Sequence, residues 1–202
     1  MDQHIYLLEY ISGKSPDSSE EPYGTLGEIT GKLHNVDGFH YQTDLDPALI
    51  VPDLIKNAEA YSFCSKYIEI VKTIPNFQLL SKALIHTDVS PPNSIQKPDG
   101  LIVLIDWDDV GMGPVALDIG APLINQFITE DGELKKEWLL AYYSQYFSQR
   151  KMPQEELPFI FDAGLFWACM YVKYGDTPKR WERIKWSVEN RKMLEGLYGE
   201  CY

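Results

Sequence analysis

Cysteine is scarce in this chain. Cys64, Cys169 and Cys201 are the only three among 202 residues, and no two share a CxxC spacing. An odd, scattered set argues against a disulfide framework and against a zinc site. It suits a reducing cytosol best, so a cytoplasmic protein is expected. Basic residues are also few: 18 Lys and Arg stand against 30 Asp and Glu, a formal charge of −12. Nucleic-acid binding rests on cations that neutralise phosphates, so that class of partner is set aside. No apolar run reaches the roughly 18 residues that a membrane span needs. The opening MDQHIYLLEY has neither the basic stretch nor the apolar core of a signal peptide. Internal repeats and low-complexity segments are absent.

Apolar and aromatic residues are plentiful. Hydrophobic residues make up 45% of the chain, with 13 Tyr and 5 Trp. Such a chain folds around one sizeable core or two small ones. Its acidic surface favours solubility and attracts cationic ligands.

Periodicity suggests the elements. Residues 5–11 (IYLLEYI) are apolar and β-prone and read as a short strand. Ser18 and Glu21 have the spacing of a capping box, with Pro22 in the first turn. Leu26, Ile29 and Leu33 then recur at helical spacing, which predicts a helix to about Val36. His34, near its end, suits the helix dipole. One long helix is expected over Asp53–Val71, ended by Pro75. A hairpin is expected from Ser94-Ile95 and Leu101–Trp107 around the turn KPDG. Its LIVLI run reads as a strand buried on both faces. From Val115 onward the pattern is helical, with segments at 115–127, 132–148, 155–174 and 177–197. The fold class is therefore α+β and mostly helical, with a small β-hairpin.

Four side chains in that hairpin region draw attention: Asp88, Asn93, Asp106 and Asp118. The pattern is His86-Thr87-Asp88, four residues, Asn93, a hairpin, then Ile105-Asp106-Trp107-Asp108. A tight hairpin brings Asn93 and Asp106 face to face, an oxygen pair that suits a hard cation such as Mg²⁺. A carboxylate at Asp88 can orient a hydroxyl and accept its proton. Phosphoryl transfer needs both parts. An isolated Asp in a Pro-rich loop is usually a turn residue; it is the combination that favours chemistry. Asp108 and Asp109 read as a solvated acidic loop. Asp118 reads as a helix cap or a backbone acceptor.

HTDVSPPN (86–93) resembles the HxDxxxxN catalytic loop of aminoglycoside phosphotransferases, choline kinases and their relatives. IDWDDVGMGPVALDIG (105–120) looks like that family's metal-binding segment. LLEYISG (7–13) looks like the hinge between the two lobes, and LGEITGKLHNV (26–36) like the first helix of the large lobe. The resemblance covers essentially the whole chain and implies a protein-kinase-like large, C-terminal lobe. Residues 1–13 would be a hinge remnant and 14–202 the lobe itself. Within the lobe, 23–127 would form the core and 128–202 a helical, substrate-side part. The resemblance further implies an ATP- and Mg²⁺-dependent phosphotransferase acting on a small-molecule hydroxyl. Asp88 would be the catalytic base or the group that orients the nucleophile, and His86, grouped with it, would brace the loop. Asn93 and Asp106 would bind Mg²⁺, Asp118 would hold the loop backbone, and Glu9 and Ile11 would meet adenine. Thr87 stands where the family commonly has Gly.

The family also places a β-lobe before the hinge, with a Gly-rich phosphate-covering loop and a strand Lys. This sequence shows no such pair; Gly111-Met112-Gly113-Pro114 follows the metal-binding Asp and is in the wrong place. The N-terminal β-lobe is therefore expected to be absent. A half-open cleft admits water and weakens electrostatic stabilisation, so little transfer is expected from the chain alone. The strand at 5–11 would be an exposed edge that pairs with a second copy or with a separately encoded lobe. The acidic balance favours a cationic, amine-like acceptor. The competing expectation is a catalytically inactive kinase-like module for binding or dimerisation. The missing lobe favours it; retention of Asp88, Asn93 and Asp106 does not.

Overall fold

Two helix pairs build the core, and both need residues without side-chain bulk where the backbones approach. Helix α4 (Val115–Asn125) is buried from Val115 through Ile124 and packs on α6 (Pro158–Tyr171). A Cβ added at Gly120 would stand 2.6 Å from Ala163 Cβ and from the Ile160 carbonyl oxygen, so glycine sets how close this pair can come. Helix α1 (Glu20–Leu33) packs on α5 (Lys136–Gln149), which turns Tyr142, Tyr143, Tyr146 and Phe147 inward. The computed structural model describes residues 10–43, 45–174 and 177–202.

Between α1 and α4 lie α2 (Pro47–Asn57), α3 (Cys64–Val71) and four short strands. Strand β1 (Lys82–Ile85) pairs antiparallel with β4 (Gly111–Pro114), Ile85 opposite Gly111. Strand β2 (Ser94–Gln96) pairs antiparallel with β3 (Ile102–Leu104), Ser94 opposite Leu104. Lys14 bridges to Gln96 through two backbone hydrogen bonds of 3.2 and 2.8 Å. The entering chain therefore extends the β2 edge. Helices α7 (Thr177–Glu189) and α8 (Arg191–Gly199) close the helical end. The molecule is a mostly helical α+β fold with small antiparallel sheets.

Several elements differ from expectation for local reasons. The single helix over Asp53–Val71 is two. Asp46 accepts the Ala48 N–H at 2.9 Å and Pro47 opens the first turn, so α2 starts early. The chain leaves helical geometry around Tyr61, and Phe63 stacks on Trp181 at 4.5 Å and 4°. Aromatic packing outweighs helical continuity there. LIVLI is not buried on both faces: Ile102 and Leu104 point inward while Leu101 is 55% exposed. It is half of a two-stranded surface hairpin. The capping box is not formed; Ser19 precedes α1, no side chain caps it, and its hydroxyl donates to Asp17. The segment 177–197 breaks at Asn190 into α7 and α8. Pro158 starts α6, three residues after the expected onset. The strand at 5–11 falls largely outside the described residues, and Glu9 lies outside them.

Candidate active site

The loop after β1 is held by one buried carboxylate. Asp118, in the first turn of α4, is fully buried. Its Oδ1 accepts the Thr87 N–H at 2.7 Å and its Oδ2 the His86 N–H at 3.0 Å. Oδ2 also pairs with His34 Nε2 at 2.9 Å, and His34 Nδ1 meets the Tyr146 hydroxyl at 3.0 Å. Burial alone would raise this carboxyl's pKa. The His34 bond and charge, with the His86 amide, outweigh burial and hold the pKa below the ordinary value. His34, at the C-terminal end of α1 as expected, is 2% exposed and serves this network.

That network sustains an uncommon backbone. Thr87 has φ of 74° and Asp106 has φ of 64°, and both are non-glycine residues. A β-branched residue there costs about 1–3 kcal/mol and persists only where neighbours over-determine it. Two amide bonds to Asp118 supply that at Thr87. His86 is 1% exposed, and its Nε2 meets the Ile105 carbonyl at 3.0 Å. An acceptor there makes Nε2 the protonated nitrogen. The His86 ring lies edge-on to Trp107 at 4.5 Å. His86 thus ties the two motifs together from behind and lines neither cavity described below.

In front of this frame the acting groups converge. Asn93 Nδ2 donates to the Asp88 carbonyl at 3.2 Å, and the Ile105 N–H donates to the Asn93 carbonyl at 3.0 Å. Asp88, Asn93, Asp106 and Asp109 line one cavity of about 310 Å³. Asp88 and Thr87 also line a second cavity of about 490 Å³, with Tyr23, Trp138, Trp167 and Tyr171 among its walls. Burial raises the Asp88 pKa above 3.8, against the Asn93 and His86 contributions, and nearby Asp106 adds to the rise. A carboxylate so shifted is a better proton acceptor than a solvated one.

The smaller cavity fits a hard cation. With Nδ2 committed, Asn93 keeps Oδ1 as an acceptor, and Asp106 is an exposed carboxylate. Among the described residues no group of three His, Cys, Asp or Glu could hold a metal. A site of one carboxylate and one amide oxygen would leave a Mg²⁺ ion to fill its shell with water and phosphate oxygens. Ile11 is half-buried and lines neither cavity. Asp109, exposed as expected for an acidic loop residue, also lines the smaller cavity, and Thr43 donates to its carbonyl at 3.1 Å. Trp167, a core residue 4% exposed, and Tyr171, packed against that core, line both cavities. Arg180 and Arg183 carried no sequence signal at all.

The fold and the paired loops define a kinase-like phosphotransferase class. Residues 2–154 match the profile of the Phosphotransferase enzyme family, and the chain belongs to that family. It is similar in structure to an aminoglycoside phosphotransferase from Alicyclobacillus acidocaldarius, at 15% identity and TM-score 0.56, over 96% of this chain and 69% of that one. It is also similar to a choline kinase from Cryptosporidium parvum (14%, TM-score 0.62, 94% and 71%). A third likeness is to the choline kinase LicA from Streptococcus pneumoniae (19%, TM-score 0.62, 92% and 69%). LicA has also been solved in complex with AMP.

Proposed function

We propose that this chain carries the catalytic loop and metal site of an ATP- and Mg²⁺-dependent kinase for a small-molecule hydroxyl. The observation that carries the reading is that Asp88 belongs to two cavities at once. One presents oxygen ligands and the other presents aromatic walls and hydrogen-bonding groups. A group that must meet a phosphate on one side and an acceptor on the other has to sit at such a junction. LicA's AMP complex supports a nucleotide as the donor.

In this reading the acceptor enters the larger cavity and points its hydroxyl at Asp88. The carboxylate orients the hydroxyl and takes its proton as the O–P bond forms. The bond between the γ-phosphorus and the bridging oxygen of ATP breaks, and ADP leaves with that electron pair. Asn93 and Asp106 would hold Mg²⁺, which when bound neutralises charge on the phosphate oxygens. Asp118, His86 and His34 touch no reactant; they fix where Asp88 stands. Ile11 and Glu9 are proposed to approach the adenine. A nucleotide-covering lobe, from another segment or another chain, completes the cleft and excludes water. A second copy paired at the N-terminal edge is the other candidate partner. The isolated chain is then a nucleotide-binding half-site with slow transfer.

Calorimetric titration with Mg²⁺-ATP, wild type beside Asp106→Asn, tests the reading. Wild type binds, and the variant binds about tenfold more weakly, the loss of one charged ligand contact. Absence of binding in both would favour a catalytically silent module.

A further inference from the structure

The larger cavity carries two cations that the reaction above does not use. Arg183 of α7 is 6% exposed. Its guanidinium donates to the Asn125 and Ile128 carbonyls at 3.3 and 3.2 Å and to Asn125 Oδ1 at 3.4 Å. Arg180, also on α7, donates to the Tyr171 carbonyl at 2.9 Å. Both side chains line the cavity that holds Asp88. The Nε of each is buried without a partner. Among the described residues neither arginine forms an ion pair with a carboxylate.

This is unexpected in a protein with twelve more acidic than basic charges, 30 less 18. Carboxylates are abundant, yet among the described residues none is bonded to this pair. Carbonyl acceptors satisfy part of each guanidinium but supply no full counter-charge. Burial, and then the like charge of Arg180, push the Arg183 pKa down to about 10, against the pull of Glu130. Glu130 lines the same cavity and pulls on Arg183, but the bonds the guanidinium makes are to carbonyl oxygens, and a buried cation so placed is costly unless something negative meets it. The cavity it faces also holds the group that would activate a hydroxyl, and Tyr23 stacked on Trp138 at 5.1 Å forms an aromatic wall.

We propose that the acceptor is a hydroxylated carboxylic acid, its hydroxyl at Asp88 and its carboxylate at Arg180 and Arg183. The hydroxyl end rests on the phosphotransferase reading; the carboxylate end rests on the arginine pair alone. Guanidinium groups recognise carboxylates through charge-assisted, often two-pronged hydrogen bonds. The overall acidity of the chain favours a cationic acceptor. Within the cavity Arg180 and Arg183 offset the carboxylates of Asp88 and Glu130, and the groups at contact distance decide what is held there.

Trp138 and Trp167 line the cavity, so intrinsic fluorescence reports its occupancy. The purified chain is titrated with 4-hydroxybutyrate, 1,4-butanediol and 4-amino-1-butanol. These share a carbon chain and a hydroxyl and differ only in a negative, neutral or positive far end. No nucleotide is present, so the result stands whether or not ATP binds. The acid is expected to bind about tenfold tighter than the diol, the worth of one charge-assisted contact. The amine is expected to bind weakest. Arg180→Gln is expected to erase the preference for the acid, and Arg180→Lys to keep most of it. Equal or tighter binding of the diol or the amine overturns the proposal. So does no binding by any of the three, or an unchanged preference in Arg180→Gln. Should Arg180→Gln fail to fold, the wild-type ranking decides.

Discussion

Asp118 and Asp88 are the same residue type, and their surroundings drive them apart. Asp118 is fully buried, fills its oxygens with two amides and an imidazole, and is held more acidic than usual. Asp88 is half-buried, opens onto two cavities, and is held less acidic than usual. Burial pushes both upward, so burial is not what distinguishes them. The difference lies in how many donors each carboxylate has already accepted. A satisfied carboxylate builds the frame; an under-satisfied one on a cavity wall keeps its lone pairs for a substrate proton. Exchanging their properties should therefore damage different observables.

The largest effect is expected at the acting group. Asp88→Asn removes the proposed proton acceptor while preserving shape. In the assembly where transfer is measured, kcat/KM should fall about 10²–10⁴-fold, with little change in thermal stability. A loss of stability without a loss of rate would break the contrast. Asp118→Ala should do the reverse first. It strands the His86 and Thr87 amides and a buried imidazole, so urea denaturation should show a loss of about 3–5 kcal/mol. Activity would fall as a consequence, because Thr87 at φ 74° has nothing else holding its amide. A well-folded Asp118→Ala protein of wild-type stability would mean that the frame lies elsewhere.

The pH profiles should separate the two aspartates more gently. Asp118 has a folded pKa below its ordinary 3.8. Its contribution to stability is therefore present above that value and is lost as pH falls through the folded pKa. In the proposed reaction Asp88 acts ionised, and its pKa lies above 3.8. The acid limb of kcat/KM should therefore fall away at higher pH than a solvated Asp would give, while the fold is still intact. Coincident loss of rate and of folded protein in an acid titration would refute that ordering.

How much of this was legible depends on distance along the chain. Asp88, Asn93 and Asp106 lie within a loop and a hairpin, and their spacing alone brings them together. Asp118 could be read as a backbone acceptor because it opens a helix soon after. His34 could not be placed on it, since 84 positions separate the two and only the packing of α1 near α4 brings them into contact. The helix break near Tyr61 was hidden for a similar reason. Its apolar positions keep helical spacing, and the stacking partner of Phe63, Trp181, is far away in sequence. Arg180 and Arg183 look like ordinary polar positions of an amphipathic helix. Only the cavity shows what they face.

Trp107 stands on the boundary between frame and acting groups and offers the finest test. It follows Asp106, is 40% exposed, donates its Nε1–H to the Leu104 carbonyl at 3.0 Å, and packs edge-on against His86. Trp107→Phe keeps an aromatic ring for His86 and deletes the donor. The loss of one such bond is worth about 1 kcal/mol. In a domain of this size that lowers Tm by about 2–4 °C. The acid limb set by Asp88 should not move, because the remaining ring still braces His86, and His86 still bonds the Ile105 carbonyl. Trp107→Ala removes the ring as well, which adds about 0.5–1.5 kcal/mol of lost aromatic contact. If that second variant moves the Asp88 limb while Trp107→Phe does not, ring packing transmits position from the frame to the Asp88 carboxylate. If neither moves it, the two Asp118 amide bonds suffice to place Asp88, and the division between frame and acting groups is sharp.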